Sequence, residues 1–252
     1  MPYYKIDGNS KYFSENNIKF YTEWSPRSIG NMIFWGKPEK RYITKNINNI
    51  SIWKDNSGMM NDAKQINGYN NPIFVENYVN GYPALFFQND KFLTIPLNIN
   101  NFTIFTVIKS NNNKIVYEFG DNTNIETGFY LSGDRNSIAV SNSGLSNLAS
   151  IKDNGINWLS DNTWKILTHQ YNGTHSSHKL FINSIFQNMN NYFSYDNNPG
   201  DITTKMINLG AKSSGLDGTK SHILEFIVFN KYLSNSEINE VNNYLNSKYE
   251  IY

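Results

Sequence analysis

The chain has 252 residues, long enough to bury one substantial core, and its 22 basic against 21 acidic residues leave a formal net charge of +1. Without a run of basic residues it lacks the clustered cations of a nucleic-acid binder. Without any cysteine it excludes disulfides, thiolate chemistry and cysteine-held zinc.

The N-terminal MPYYKIDGNSKYF carries neither the basic start nor the apolar segment of a signal peptide, and no later run approaches the roughly 20 apolar residues of a membrane helix. The expectation is no membrane insertion, and any export would need another route, an absent leader, or assembly into a particle released by lysis. Asparagine fills roughly one position in six, and 17 tyrosines with 16 phenylalanines supply much of the apolar matter. Asparagine favours turns and local backbone hydrogen bonds, which suits many short strands joined by polar loops.

Residues 1–30 read as an extension, a possible attachment segment, with Asp7-Gly8 as a hairpin turn and brief alternation at Ile18 to Tyr21. Ile33 to Trp35 and Ile50 to Trp53 are early strands. Trp53-Lys54-Asp55-Asn56-Ser57-Gly58 then places a turn behind an aromatic anchor: Asp55 or Asn56 accepts backbone N–H groups and Gly58 supplies a positive φ. The polar NDAKQINGYNNP stretch that follows reads as a long ordered loop.

Asn80-Gly81 is a sharp turn, and Asn89-Asp90 separates Pro83 to Phe87 from Phe92 to Ile95 as if in a hairpin. Phe102 to Lys109 is a central strand, with Phe102, Ile104 and Ile108 on one face and Phe105 and Val107 on the other. Lys114 to Phe119, Gly128 to Leu131, Ser137 to Val140 and Thr163 to Tyr171 are four further strands, with the long separator from Ser141 to Asp161 lying over one end. Asn172-Gly173 turns the chain toward Lys179 to Ile182, and Met206 to Leu209 continues the pattern.

Ile223 to Leu245 closes the chain. Simple alternation puts Ile223, Ile227 and Phe229 on one side of a central strand and Leu224, Phe226 and Val228 on the other, with Glu225 as a carboxylate held by nearby donors. Ser234 with Glu237 forms a capping box, bracketed by Leu233 and Ile238 as a hydrophobic staple. Ile238, Val241 and Leu245 then recur on one face of a helix that lies on that strand. Many short strands, one late helix and no βαβ rhythm predict an all-β, two-sheet antiparallel sandwich.

Three sets of residues carry a resemblance. They are Trp53 to Gly58 with Asn61-Asp62-Ala63 and Gln65; Pro72 with Asn80 to Phe87; and Ile223 to Phe229 with Leu233-Ser234, Glu237 and Tyr244-Leu245. In this order the chain resembles the laminin-G-like, concanavalin A-like lectin jelly-roll family, in its bacterial and viral branch, over about Ile33 to Tyr249. The resemblance implies a jelly-roll domain over residues 31–252, two curved sheets whose loops or concave face meet glycans, and a structural role for Trp53, Asp55, Ser57, Gly58 and Glu225.

Glycosidases on this fold would carry two carboxylates as Glu-x-Asp-x-x-Glu on one strand, a pattern absent here; Glu118 with Asp121 is a poor substitute. The chain is therefore read as a non-enzyme. His175, His178, His169 and His222 form no zinc motif and read as hydrated loop residues, and there is no serine-nucleophile elbow. Calcium is the one ion the resemblance suggests, on Asp121, Asn122 and Asn124 or near Asp217.

For a sugar surface, Tyr69, Tyr192 and Tyr195 stand in polar stretches, with Asn191 and Asp196 beside the latter two. The leading expectation is a non-catalytic carbohydrate-binding or adhesion module displayed on a virion or cell surface. The alternatives are a capsid-surface, spike or fibre component that binds protein or self-associates, and an accessory domain related to a polysaccharide-degrading enzyme.

Overall fold

The computed structural model describes residues 3–7, 10–15, 18–65, 70–99, 101–112, 114–120, 128–132, 137–141, 150–153, 158–173, 177–188, 190–193, 204–211 and 218–252. Strands β1 (Tyr3–Asp7), β2 (Ser10–Glu15) and β3 (Ile18–Glu23) form an antiparallel meander of their own, in which Asp7 pairs with Ser10. After a 3-10 turn at Pro26–Ile29 come β4 (Met32–Gly36), β5 (Ile43–Asn46), β6 (Asn49–Trp53), β7 (Ala63–Lys64), β8 (Ile73–Val79) and β9 (Tyr82–Phe87). Then follow β10 (Leu93–Ile99), β11 (Phe102–Ser110), β12 (Ile115–Gly120), β13 (Gly128–Ser132), β14 (Ser137–Ser141) and β15 (Ser150–Asp153). The chain ends with β16 (Trp164–Tyr171), β17 (Lys179–Ile182), β18 (Ile185–Gln187), β19 (Asn190–Phe193), β20 (Thr204–Leu209), β21 (Ser221–Phe229) and the helix α1 (Asn235–Tyr249).

Strands β4 to β21 build two antiparallel sheets, joined at one point where Asn49 of β6 pairs with Ile73 of β8. The first runs β18–β17–β16–β11–β21. Beyond β21 it divides: Phe226 to Phe229 pair with β4, while Ser221 to Ile223 pair with β9, which pairs with β8. The second runs β19–β15–β14–β13–β12–β20–β10–β7–β6–β5. The fold is thus the antiparallel two-sheet sandwich with one C-terminal helix that the sequence predicts.

Two apolar layers hold it together. Between the sheets, Phe102, Ile104 and Ile108 of β11 meet Leu93, Ile95, Phe119, Ile207 and Leu209 of the second sheet. On the outer face of the first sheet, Phe105 and Val107 join Ile166, Leu224, Ile227 and Phe229 beneath Ile238, Val241 and Leu245 of α1. Each aliphatic side chain buried there contributes about 1.5–3 kcal/mol. The capping box forms as the sequence predicts: Ser234 Oγ accepts from the Glu237 backbone N–H, and Glu237 Oε2 accepts from the Ser234 N–H at 2.8 Å.

Alternation gives the faces of β11 correctly but not those of β21. Val107 pairs with Glu225 and Ile108 with Ile223, so Leu224 is an extra residue in a bulge. A bulge reverses the alternation behind it. Leu224, Ile227 and Phe229 therefore share the helix side, while Ile223, Phe226 and Val228 face the other sheet. Asn89-Asp90 also fails as a hairpin, because β9 pairs in the first sheet and β10 in the second.

Several strands escape a reading by pattern. The stretch read as a long loop contains the two-residue β7, which bridges β6 to β10. β15 lies inside the long separator, and β8 carries exposed Glu76 and Asn77 where alternation would need apolar residues. Asn80 and Gly81 adopt φ values of 47° and 80°, and Val79 pairs with Tyr82, as a two-residue primed hairpin turn requires. Within the first thirty residues the strands end at Glu23, and Trp24 and Ile29 join the packing around α1.

Candidate functional site

Asp55 organises the turn after β6. Its Oδ1 accepts the backbone N–H of Trp35 at 2.9 Å and of Ser57 at 2.7 Å. Its Oδ2 accepts the Ser57 hydroxyl at 2.7 Å and the Asn61 N–H at 3.1 Å. Trp53 is fully buried, donates from Nε1 to the Lys37 carbonyl at 2.7 Å, and lies so near Gly36 that a Cβ there would sit 2.6 Å from the indole. Gly58 takes φ +97°, the left-handed region that glycine adopts without strain. All of these groups act within the chain, tying β4 to β6.

Glu225 is fully buried on the outer face of the first sheet, beneath the last turn of α1. Trp35 Nε1 donates to Oε1, while Lys248 Nζ at 2.8 Å and the Tyr249 hydroxyl at 2.6 Å donate to Oε2. Burial, reinforced by the Glu225 charge, pushes the Tyr249 and Tyr244 phenols well above their ordinary range, so both remain protonated. Lys37 lies 3.8 Å above the Trp35 ring, and burial pulls its ammonium below the ordinary lysine value. This carboxylate has its donors from β4 and α1 and serves as a clamp between strand and helix.

α1 ends at the level of Glu225, and the outer face of the first sheet continues beyond it. There the register sets Trp164 of β16 beside Lys109 of β11, Lys109 beside His222 of β21, and His222 beside Phe86 of β9. All four are half-buried, as is Tyr78 at the end of β8. His222 is stacked between the Tyr78 ring at 4.0 Å and the Phe86 ring at 4.5 Å, and Trp164 stands edge-on to Tyr78 at 6.0 Å. The Tyr78 hydroxyl lies 3.2 Å from His222 Nδ1. Partial burial, with the Lys109 charge adding to it, pulls the imidazole down to about 4, so it is neutral at physiological pH.

The other histidines correct the expectation of hydrated loops. His169 and His178 are buried between the sheets, with His169 Nδ1 2.6 Å from the Tyr117 hydroxyl and His169 Nε2 3.0 Å from His178 Nδ1. Burial raises the Tyr117 phenol well above its ordinary value. His175 lies outside the described residues. Among the described residues, no three His, Cys, Asp or Glu side chains gather as a metal site.

Glu118 is buried on β12, where its neighbours Tyr117 and Phe119 face the inter-sheet core, so by alternation its side chain belongs to the outer face of the second sheet. In register beside it stands Asn208, which accepts from Thr94 Oγ1 at 2.8 Å. Glu118 and Glu225, the buried carboxylates among the described residues, thus belong to opposite outer faces of the sandwich. Packed sheets lie about 10 Å apart, so these two groups stand too far from one another for the roughly 5–9.5 Å of a glycosidase pair.

Of the residues expected to hold sugar, Asn191 and Tyr192 fall on β19, where Asn191 pairs with Lys152 at an edge of the second sheet. Tyr69, Tyr195 and Asp196 lie outside the described residues, as do Asp121, Asn122, Asn124 and Asp217, expected near calcium. The Trp164, Lys109, His222, Phe86 and Tyr78 group went unpredicted. Its members come from five strands, and the one local signal is that Lys109 and His222 break apolar runs near strand ends.

No protein-family model and no curated protein sequence matches the chain. Solved structures do. Domain 4 of an extracellular arabinanase from Geobacillus stearothermophilus, in complex with arabinotriose, superposes with a TM-score of 0.56 at 12% identity, over 84% of this chain and 98% of that one. The binding domain of Paraclostridial Mosquitocidal Protein 1 gives 0.56 at 15% identity over 88% of this chain, and the receptor binding domain of a botulinum neurotoxin C/D mosaic serotype gives 0.55 at 18% over 84%. The match spans about half of each toxin domain, 53% and 51%. At these identities the likeness is one of fold: this chain shares a β-sandwich with these domains.

Proposed function

We propose that the chain is a non-catalytic carbohydrate-binding module that works at an extracellular surface, through the uncovered part of the first sheet's outer face. The observation that carries this reading is the half-buried row of Trp164, Tyr78, His222 and Phe86 with Lys109 among them. Sugar rings present apolar C–H faces beside hydroxyls, so they bind where aromatic surface and polar donors lie together. The fold shared with an arabinanase domain solved with arabinotriose supports the same reading, as does the similar botulinum neurotoxin domain, named for receptor binding. The separation of Glu118 and Glu225 onto opposite faces supports a binding role rather than hydrolysis.

The test is a glycan array followed by calorimetry on the full chain, with Trp164→Ala and Tyr78→Ala. Binding to a defined set of glycans, weakened about tenfold by each substitution, is expected from the loss of roughly 0.5–1.5 kcal/mol of ring contact together with buried area. Absence of glycan binding, or binding unchanged in both variants, overturns the proposal.

A further inference from the structure

Several charged side chains on and around the first sheet are committed. Asp161, three residues before Trp164, accepts from Lys165 Nζ and from the Thr163 hydroxyl at 2.9 Å, and those bonds hold its carboxyl below the ordinary value despite partial burial. Glu76 on β8 pairs with Lys45 at 3.7 Å. Lys248 is taken by Glu225 and Lys231 by Glu237. Lys109 differs: among the described residues no carboxylate lies in ion-pair range of its ammonium, although its neighbours across the sheet are Trp164 and His222.

A cation in a half-buried aromatic setting gains more from an anion than one in open water, because the surrounding rings lower the local dielectric. His222 adds a donor of its own. When it accepts the Tyr78 hydroxyl at Nδ1, the neutral ring carries its proton on Nε2, and no described group occupies that nitrogen. A carboxylate offers two oxygens, enough for the ammonium and the imidazole together.

We infer that the ligand of this row is an acidic glycan, a sugar bearing a carboxylate, with the Lys109 ammonium as its counter-ion and His222 as a second donor. This rests on the carbohydrate-binding reading and narrows its ligand class. The rings supply contact with the sugar body, and Lys109 selects the charged ring over its neutral counterpart.

The experiment uses the full chain and a panel of uronate- and sialic-acid-bearing oligosaccharides, each measured by calorimetry beside its methyl ester, which keeps the ring and removes the charge. In the wild type the acids are expected to bind at least about tenfold more tightly than their esters, since a charge-assisted bond is lost on esterification. Lys109→Met should abolish that preference, Lys109→Arg should restore most of it, and rising salt should weaken the acids alone. The inference is overturned if esters bind as well as acids, or if Lys109→Met keeps the preference. The two readings fail separately: binding of neutral glycans that Trp164→Ala removes, with no preference for acids, sinks only the ligand class. No binding of acid, ester or neutral glycan sinks both.

Discussion

The strand β21 puts two ionisable residues on the same outer face, three positions apart, with opposite fates. Glu225 lies under α1, where Trp35, Lys248 and Tyr249 donate to it and solvent has no access. His222 lies past the end of the helix, stacked between Tyr78 and Phe86 but half-open to solvent. The difference comes from cover. A charge sealed under a helix must be matched from within and becomes a clamp, whereas a polar group at the rim of the same layer keeps bonding capacity for something outside.

The largest effect should come from breaking the covered half. Glu225→Ala leaves Lys248 without its carboxylate in a largely buried place, and about 3–5 kcal/mol of stability should be lost, read as a lower urea midpoint. Trp164→Ala, in the uncovered half, should weaken glycan binding about tenfold while moving that midpoint less than Glu225→Ala does. A Trp164 variant as destabilised as Glu225→Ala would erase the distinction between the halves. Ser234→Ala removes one side of the capping box and should cost about 1 kcal/mol, with glycan affinity unchanged, since the cap is remote from Lys109 and His222.

The subtlest test is titration. His222 should show an NMR midpoint near 4 instead of near 6.5. Its folded-state value is depressed, so the unfolded chain takes up the proton first; the contribution to stability is full above the unfolded value and declines as pH falls from about 6.5 toward 4. His222→Gln should flatten that part of the stability profile, which urea midpoints across pH would record. An ordinary midpoint for His222 would mean that the Tyr78 and Phe86 stack does not shield the ring.

Much of the architecture could be read in advance where the signal is short-ranged. The capping box, the Asn80-Gly81 turn, the two faces of β11 and the apolar stripe of α1 all follow from residues within four positions of one another. Where a strand lacks alternation, as in β8, or is only two residues long, as in β7, pattern had nothing to act on. A sugar surface around Tyr69, Tyr192 and Tyr195 follows from the polarity of the neighbouring residues, a criterion that passes over aromatic residues flanked by apolar ones in buried strands. Trp164, Lys109, His222 and Phe86 each sit in such a strand and look like ordinary core or edge positions when taken singly.

The sequence by itself determined that this chain folds as an antiparallel sandwich closed by one amphipathic helix, because periodicity, turn chemistry and capping act through neighbours along the backbone. Only the tertiary structure decided that Leu224 bulges and so exchanges the faces of Ile223 and Leu224, that β9 and β10 part into different sheets, and that α1 stops short of His222. Those outcomes depend on which strands pair, in what register, and how far the helix reaches across them. Such choices are set by contacts between residues a hundred or more positions apart, as Lys109 and His222 are, and no local spacing encodes them.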